Sequence, residues 1–213
     1  PAERWRWLLE NIRSRLPWGK GAAAFATGMD IAEKNDQDLE RLRSLGLDLL
    51  YGGVESGHEE VLRTVQKGIK PEDLRLQCLR AQKAGFGLRV SVVLGIAGES
   101  LYMESARRTG ALLTSINPQE VGITMLVPQP GTIFRKDIKE GMSPALSKER
   151  LLRELRELFA HTELDGGLFN ASHSSSYISF LARLPEEKSK GLALIDKALA
   201  GELELKPDGS RHI

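Results

Sequence analysis

Hydrophobic residues follow two different spacings along the chain. Some short runs are almost wholly apolar, whereas in longer segments the apolar residues recur every three or four positions. The first spacing is typical of buried strands and the second of amphipathic helices. The short runs predict strands at about 22–27, 47–53, 88–94 and 121–127. The longer segments predict helices at about 3–16, 36–45, 56–65, 71–84, 100–115 and 147–163, and a last helix that Pro185 opens. Strands that alternate with helices indicate βα units around a parallel sheet.

The two faces of the predicted strands differ in polarity. In the strand at 88–94, one face carries Arg89, Ser91 and Val93, and the other is purely aliphatic. In the strand at 121–127, Gly122 and Thr124 share the less apolar face. A parallel sheet that is covered by helices on both sides is apolar on both faces. The pattern therefore favours a barrel whose inner face receives a ligand over a packed flat sheet.

The strand pattern ends at about residue 136. The last two helices are separated by a loop rich in glycine and serine at 164–180, and the tail from Gly201 onward is expected to fray. We therefore predict two parts, a partial (β/α) barrel at 1–136 and a C-terminal helical extension at 137–213.

Composition excludes several classes of function. The net charge is +1 and aromatic residues make up 6% of the 213 residues, so neither charge nor base stacking points to nucleic acid. Neither a long apolar run nor a signal-peptide pattern is evident, which argues against a membrane span or secretion. A single cysteine fits a reducing cytoplasm. Because the first residue is Pro1, we expect that the chain has been cut from a longer one.

One candidate site lies where the second predicted strand ends. The strand runs into Gly53, Glu55 and Ser56, and Ser56 with Glu59 fits a capping box for the next helix. In parallel β/α folds, ligands bind at this end of the strands. Glu55 is therefore our leading candidate for ligand binding, and the alternative is a carboxylate that only caps the helix.

Two further loops follow strands in the same way. Gly95, Gly98 and Glu99 follow the third strand, and Pro130 with Gly131 follows the fourth. The glycines allow tight turns in which the backbone can approach a ligand. The alternative for Glu99 is a favourable charge at the start of a helix.

The three loops together resemble motifs of one enzyme family. Tyr51–Gly57, with Lys67-Gly68 further on, resembles the "GxESG … KG" signature of radical S-adenosylmethionine enzymes. Leu94–Ser100 resembles their "lGlPGEt" loop, and Pro128–Thr132 resembles their "PxPGT" loop. Order and spacing agree over about residues 1–136.

This resemblance implies an α/β fold, a partial radical-SAM barrel of the TIM-like type in which strands three to six are present. It implies that S-adenosylmethionine binds a [4Fe–4S] cluster, takes one electron from a donor and yields a 5′-deoxyadenosyl radical that abstracts hydrogen from substrate. Glu55 would accept hydrogen bonds from the ribose hydroxyls or the ammonium of the cofactor. The implied cofactor-binding residues are Gly53, Glu55, Ser56, Gly95, Gly98, Glu99, Pro130 and Gly131.

The sequence departs from the family pattern in one major respect. The cluster motif C-x3-C-x2-C is absent, Cys78 is predicted to be a core thiol on a helix, and Ala97 stands where the family has proline. We therefore expect a fragment of a radical SAM enzyme of unknown substrate that alone neither shows cluster absorbance nor cleaves the cofactor. No catalytic residue or metal ligand is predicted.

Two alternatives remain. The first is a degenerate, non-catalytic barrel that binds a nucleoside or a protein partner. The second, an ordinary phosphate-binding enzyme, is disfavoured because no G-x4-G-K loop is present. His58 is expected to be solvated, His173 is a weak substrate-contact candidate, and Arg89 is expected at the solvated rim. The cut also predicts self-association through an unpaired strand edge, measurable by sedimentation.

Overall fold

A six-stranded sheet forms the centre of the molecule. The computed structural model describes residues 2–140 and 145–212. The strands pair in chain order, the first five in parallel and the last antiparallel to the fifth. Their bounds are β1 (Ala22–Phe25), β2 (Leu47–Glu55), β3 (Gly87–Leu94), β4 (Glu120–Met125), β5 (Leu168–Asn170) and β6 (Leu181–Arg183).

Helices connect the strands and cover one face of the sheet. Their bounds are α1 (Ala2–Arg15), α2 (Gly28–Ala32), α3 (Asp36–Ser44), α4 (Glu59–Thr64), α5 (Pro71–Lys83), α6 (Gly98–Ile116), α7 (Ile133–Lys139), α8 (Lys148–Ala160) and α9 (Lys188–Leu199). Several of them begin where the sequence predicts. Asn35 caps α3 and Pro71 occupies the first position of α5, where its missing N–H has no helical partner to lose.

The predicted capping box of Ser56 and Glu59 is wrong. The helix α4 begins at Glu59, with His58 as its N-cap and without a side-chain cap. The Ser56 hydroxyl instead accepts the His58 N–H and pairs with the hydroxyl of Ser105 on α6. The difference arises because β2 continues to Glu55, so Ser56 lies in the turn that precedes the helix.

The register of the strands confirms that the two faces of the sheet differ. The helix-covered face carries Val90, Val92 and Leu94, which are buried in one continuous hydrophobic core. A first row of inner-face residues crosses the sheet, with Phe25 aligned to Tyr51, Arg89, Glu120 and Leu168. The next row holds small or polar residues, Gly53, Ser91, Gly122 and Asn170.

The predicted fold class, an α/β partial barrel with helices in its C-terminal part, is confirmed. The sheet is open, and within the described residues β1 pairs only with β2. Phe25 on β1 is 88% exposed, so its side chain meets solvent at this edge. Self-association through the edge stays a prediction.

The expectation that no strand follows residue 136 is wrong. β5 adds to the sheet beside β4, and β6 returns antiparallel to it, within the segment 164–180 and just beyond it. Strands of three residues are too short to produce a periodic pattern, so they escaped prediction. The domain boundary at 136/137 stays a prediction.

The expectation of a frayed tail is also wrong. Lys206 donates its backbone N–H to the carbonyl of Tyr177. The guanidinium of Arg211 stacks on the Tyr177 ring at 3.9 Å and donates to the Ser175 carbonyl. The tail thereby packs against the loop that follows β5.

None of the helices in the described residues combines the length and apolarity that crossing a bilayer requires.

Candidate functional site

The three loops that carry the sequence motifs meet at the carboxyl ends of β2, β3 and β4. The N–H of Leu126 donates to the carbonyl of Leu94, which joins the start of the loop after β4 to the end of β3. The N–H of Gly57 donates to the Thr109 hydroxyl on α6, the helix that follows the Gly95 turn. The structure therefore brings together the segments that the sequence places far apart, at the edge where ligands bind in parallel sheets.

Glu55 occupies a special backbone position at the end of β2. Its φ is +60°, a conformation that non-glycine residues adopt at a cost of about 1–3 kcal/mol. The pairing between β2 and β3 shifts at this point, with Gly53 opposite Ser91 and Glu55 opposite Val92. This bulge re-aims the Glu55 side chain relative to the strand.

The Glu55 carboxylate is held by Lys67. Lys67 Nζ donates to Glu55 Oε1 at 2.9 Å, and the two side chains are only 23% and 18% exposed. The carboxylate lies over Gly53, where any Cβ would overlap with it. Glycine at position 53 thus leaves room for the ion pair. Lys67 was missing from our predicted site residues, although the "KG" motif contains it.

Ser56 and Gly57 attach this loop to α6. Ser56 is 1% exposed, and its hydroxyl lies 2.8 Å from the Ser105 hydroxyl. A Cβ on Gly57 would come within 2.6–2.7 Å of the backbone of Arg108 and Thr109. The structure therefore places the Ser56 side chain beneath the loop, where it holds the loop to the helix.

The turn after β3 contains Gly95, Gly98 and Glu99. Gly95 and Gly98 have φ values of +94° and +67°, and no described atom lies within 4 Å of where a Gly98 Cβ would stand. The Gly95 N–H donates to Glu154 Oε2 at 2.9 Å. Glu99, at the start of α6, pairs with Arg150.

Glu154 is a buried carboxyl that sequence reasoning missed. It is 2% exposed, and burial raises its pKa to about 8, while the Gly95 N–H lowers that pKa in part. A signal was present in the sequence. Glu154 interrupts the otherwise apolar face that Leu151, Leu155 and Leu158 form on α8.

Pro130 and Gly131 lie on an exposed turn before α7. Gly131 has a φ of +84°, and no described atom lies within 4 Å of the position of its absent Cβ. Thr132 caps α7 by accepting the Arg135 N–H. A cavity of about 390 Å³ lies beside this loop, between Gly95, Leu126, Pro128, Leu151, Tyr177 and Arg211.

A second cavity, of about 180 Å³, lies on the inner face of the sheet. Arg89 donates to the Tyr51 hydroxyl at 3.0 Å and pairs with Glu120 at 3.3 Å. The small residues Gly53 and Gly122 leave space beside this network. Arg89 is half-exposed, as expected for a rim residue, but it is paired with a carboxylate.

Of the four histidines, the two that the sequence analysis considered, His58 and His173, lie in different environments. His58 is 7% exposed, so the expectation of a solvated side chain is wrong, and its Nε2 lies 3.7 Å from Glu104. His173 Nδ1 lies 2.8 Å from the Ser175 hydroxyl, which accepts the Met125 N–H at the end of β4. His173 is thereby linked to the carboxyl end of the sheet.

The residues present fit S-adenosylmethionine and do not fit an iron–sulfur cluster. Open space over Gly98 and Gly131 lets a ligand reach the backbone, and Glu55 and Lys67 offer opposite charges. By contrast, Cys78 is the single cysteine of the sequence, and burial raises its pKa to about 11. In the described ranges, no group of three or more histidine, cysteine or acidic residues could hold a metal ion.

Comparisons with sequences and with solved structures give different results. No protein-family model matches the sequence, and a search of curated proteins finds no match. Elp3 from the archaeon Methanocaldococcus infernus aligns with 85% of this chain at a TM-score of 0.57 and 13% identity. Coproporphyrinogen III oxidase (HemN) from Escherichia coli, a radical SAM enzyme, aligns with 78% of this chain at a TM-score of 0.55 and 20% identity. Methylornithine synthase (PylB) aligns with 77% of this chain at a TM-score of 0.53 and 18% identity.

These likenesses concern the fold and only part of each longer protein. The chain spans 42% of the Elp3 structure, 36% of HemN and 45% of PylB. The chain therefore shares the fold of the radical SAM enzymes, as its three loop motifs predict.

Proposed function

We propose that this chain is part of a radical SAM enzyme and that the carboxyl ends of β2, β3 and β4 form its S-adenosylmethionine site. The observation that carries the proposal is that the three motif loops lie at the carboxyl ends of three neighbouring parallel strands, with the Glu55–Lys67 ion pair at the end of β2. The shared fold supports the proposal, but the charged side chains and glycine turns of the loops are the groups that would bind the cofactor.

The ion pair is complementary to the amino-acid end of the cofactor. S-adenosylmethionine carries an ammonium and a carboxylate on one carbon, and Glu55 and Lys67 offer the opposite charge to each. Glu55 would accept hydrogen bonds from the ammonium or from the ribose hydroxyls. Both side chains are partly shielded from water, which strengthens such contacts.

The glycine turns would receive the flat part of the cofactor. Gly95 and Gly98 hold positive φ angles, and Gly98 faces open space, so the backbone can approach an adenine ring. Pro130 and Gly131 would border the same ligand from the loop before α7. Glu99 would help to hold the turn in place through its pair with Arg150.

The intact enzyme would use the cofactor to abstract a hydrogen atom from its substrate. S-adenosylmethionine supplies that chemistry only with a [4Fe–4S] cluster and an electron donor. This chain carries one cysteine, which is buried, so it does not itself supply the set of thiolates that the cluster requires. We expect the chain alone not to cleave the cofactor.

A second candidate function is non-catalytic binding of a nucleoside. The single buried cysteine favours it, since three thiolates are required to hold the cluster. This function would use the same glycine turns and the same carboxylate. The two candidates differ in whether reconstitution of a longer parent chain restores cleavage of the cofactor.

Binding by the chain as it exists tests the site directly. We would titrate S-adenosylmethionine into the wild type and follow backbone amide signals by NMR. We expect weak binding, with a Kd of about 1 mM, and shifts at Gly53, Glu55 and Gly95. The Glu55→Ala variant should weaken binding about tenfold, since it removes the carboxylate of the pair.

The matched control is Glu72→Ala, which removes an exposed carboxylate in the first turn of α5. It should bind as the wild type does. A wild type that shows no shifts at 5–10 mM cofactor, or a Glu55→Ala variant that binds unchanged, would contradict the proposed site.

A further inference from the structure

Three side chains of α8 contact the turn that follows β3. Arg150 pairs with Glu99 at the start of α6. Leu151 lies against Gly95, close enough that a Cβ on this glycine would come within 3.0 Å of the leucine methyl. Glu154 accepts the Gly95 N–H at 2.9 Å. Glu154 follows Leu151 by three residues and Arg150 by four, so it is the helix-surface neighbour of both, and α8 contacts the turn at each of these side chains.

The Glu154 contact is unusual because a carboxyl occupies a core position. The side chain is 2% exposed, and its neighbours along the same helix face, Leu151 and Leu155, are 3% and 0% exposed. Burying a charged group costs free energy unless the group is paired or becomes neutral. Burial raises the Glu154 pKa to about 8, so the carboxyl is mostly protonated at neutral pH. A leucine would fill such a position at a lower cost in free energy, so the carboxyl is expected to contribute something other than packing.

The Gly95 N–H supplies an answer. Gly95 follows the last residue of β3, and its φ of +94° takes the chain out of the sheet and into the turn. A buried backbone N–H without an acceptor costs about as much as a lost hydrogen bond. Glu154 provides the acceptor from an element that lies 59 residues further along the chain. The hydrogen bond therefore ties the conformation of the turn to the position of α8.

We propose that Glu154 is a positioning residue that fixes the Gly95–Glu99 turn in the form that receives the cofactor, with α8 as its support. This inference rests on the proposed function, because it assigns the turn to cofactor binding. It also gives the C-terminal part of the chain a role. That part supplies the helix that orients a loop of the strand-rich part.

The pair of Arg150 and Glu99 completes the support. Hydrogen bonding at Gly95 holds one end of the turn, and the ion pair holds the other end at the start of α6. Both Arg150 and Glu99 are more than one-third exposed, so the pair adds less than the buried bond. Glu154 is accordingly the residue to test.

Two substitutions separate a positioning role from simple packing. Glu154→Gln keeps a neutral acceptor of the same length, and Glu154→Leu keeps an apolar shape but has no acceptor. Arg153→Gln is the matched control, since Arg153 lies on the same helix and bonds only to Glu149 among the described residues. Hydrogen exchange of the amides from Gly95 to Glu99 is measured by NMR, together with the global free energy of unfolding.

We expect the Gly95 amide of Glu154→Leu to exchange about tenfold faster than in the wild type, whereas Glu154→Gln and Arg153→Gln stay within about twofold. Global stability of Glu154→Leu should equal or exceed that of the wild type, because the buried carboxyl is removed. Unchanged exchange in Glu154→Leu would overturn the inference. Equal acceleration in Glu154→Gln would overturn it too, since an acceptor would then not suffice.

A cofactor titration on the same variants distinguishes this inference from the proposed function. If the wild type binds S-adenosylmethionine, Glu154→Leu should bind about tenfold more weakly and Glu154→Gln should match the wild type. Equal affinity for Glu154→Leu would overturn the positioning role while the proposed function stands. A wild type that does not bind would overturn the proposed function and the cofactor role, and the exchange of the free protein would still decide whether Glu154 holds the turn.

Discussion

Two carboxyl groups lie beside glycine turns at the ends of neighbouring strands, and they are held in opposite ways. Glu55, at the end of β2, is 23% exposed and paired with the ammonium of Lys67. Glu154, beside the end of β3, is buried and bonded to a backbone N–H. Glu55 thus has a cationic partner near the surface, whereas burial beside a neutral donor raises the pKa of Glu154 and favours its protonated acid. The first group is therefore suited to bind a charged ligand and the second to hold a turn.

The largest expected effect is the pH dependence that Glu154 imposes on stability. In the unfolded chain the Glu154 pKa has its ordinary value of 4.5, and in the folded chain burial raises this pKa to about 8. Between these pH values the unfolded state releases a proton that the folded state retains, so stability falls as pH rises. The fall attributable to this group is about 1.4 kcal/mol per pH unit, on the order of 5 kcal/mol in total.

Urea denaturation of the wild type and Glu154→Gln across pH 4–9 measures this effect. The wild type should lose stability relative to the glutamine variant up to about pH 8, and the difference should then stay constant. Parallel stability curves would erase the contrast between the two carboxyls, because Glu154 would then ionise as an exposed group does.

A smaller effect is expected from crowding the loop that carries Glu55. In Gly57→Ala the new Cβ would lie 2.6–2.7 Å from the backbone of Arg108 and Thr109. Backbone cannot rotate away as a side chain can, so we expect a loss of about 1–3 kcal/mol in the free energy of unfolding. Urea denaturation provides the measurement.

Gly209→Ala is the matched control for this change. No described atom lies within 4 Å of the Cβ position at Gly209, so this variant should stay within about 0.5 kcal/mol of the wild type. Equal stability of the two variants would show that the loop does not rest on α6 as tightly as the structure has it.

The smallest effect concerns the Glu55–Lys67 pair itself. A double-mutant cycle with Glu55→Gln and Lys67→Met should give a coupling energy of about 1 kcal/mol, because both side chains retain contact with water. The coupling should weaken when salt is added, since partly exposed charges are screened. A coupling of several kcal/mol that ignores salt would mean that this carboxylate is buried in solution, as Glu154 is.

Local pattern accounts for the parts of the fold that were predicted correctly. The apolar runs at β2, β3 and β4 and the start of α5 at Pro71 each depend on residues only a few positions apart. The three loop motifs depend on glycines and turns of the same short range. Their convergence at one edge follows from parallel strand order, so the position of the candidate site was predictable as well.

The sequence by itself determined the βα alternation, the polarity of the inner face and the three motif loops, because these are properties of neighbouring residues. Only the tertiary structure decided that Lys67 meets Glu55, that Glu154 meets Gly95 and that the tail reaches Tyr177. It also decided that two three-residue strands extend the sheet. Lys67 and Glu55 are 12 positions apart in the sequence, and Glu154 and Gly95 are 59 positions apart. They form only when the packed helices bring distant segments together, and no local pattern encodes that packing.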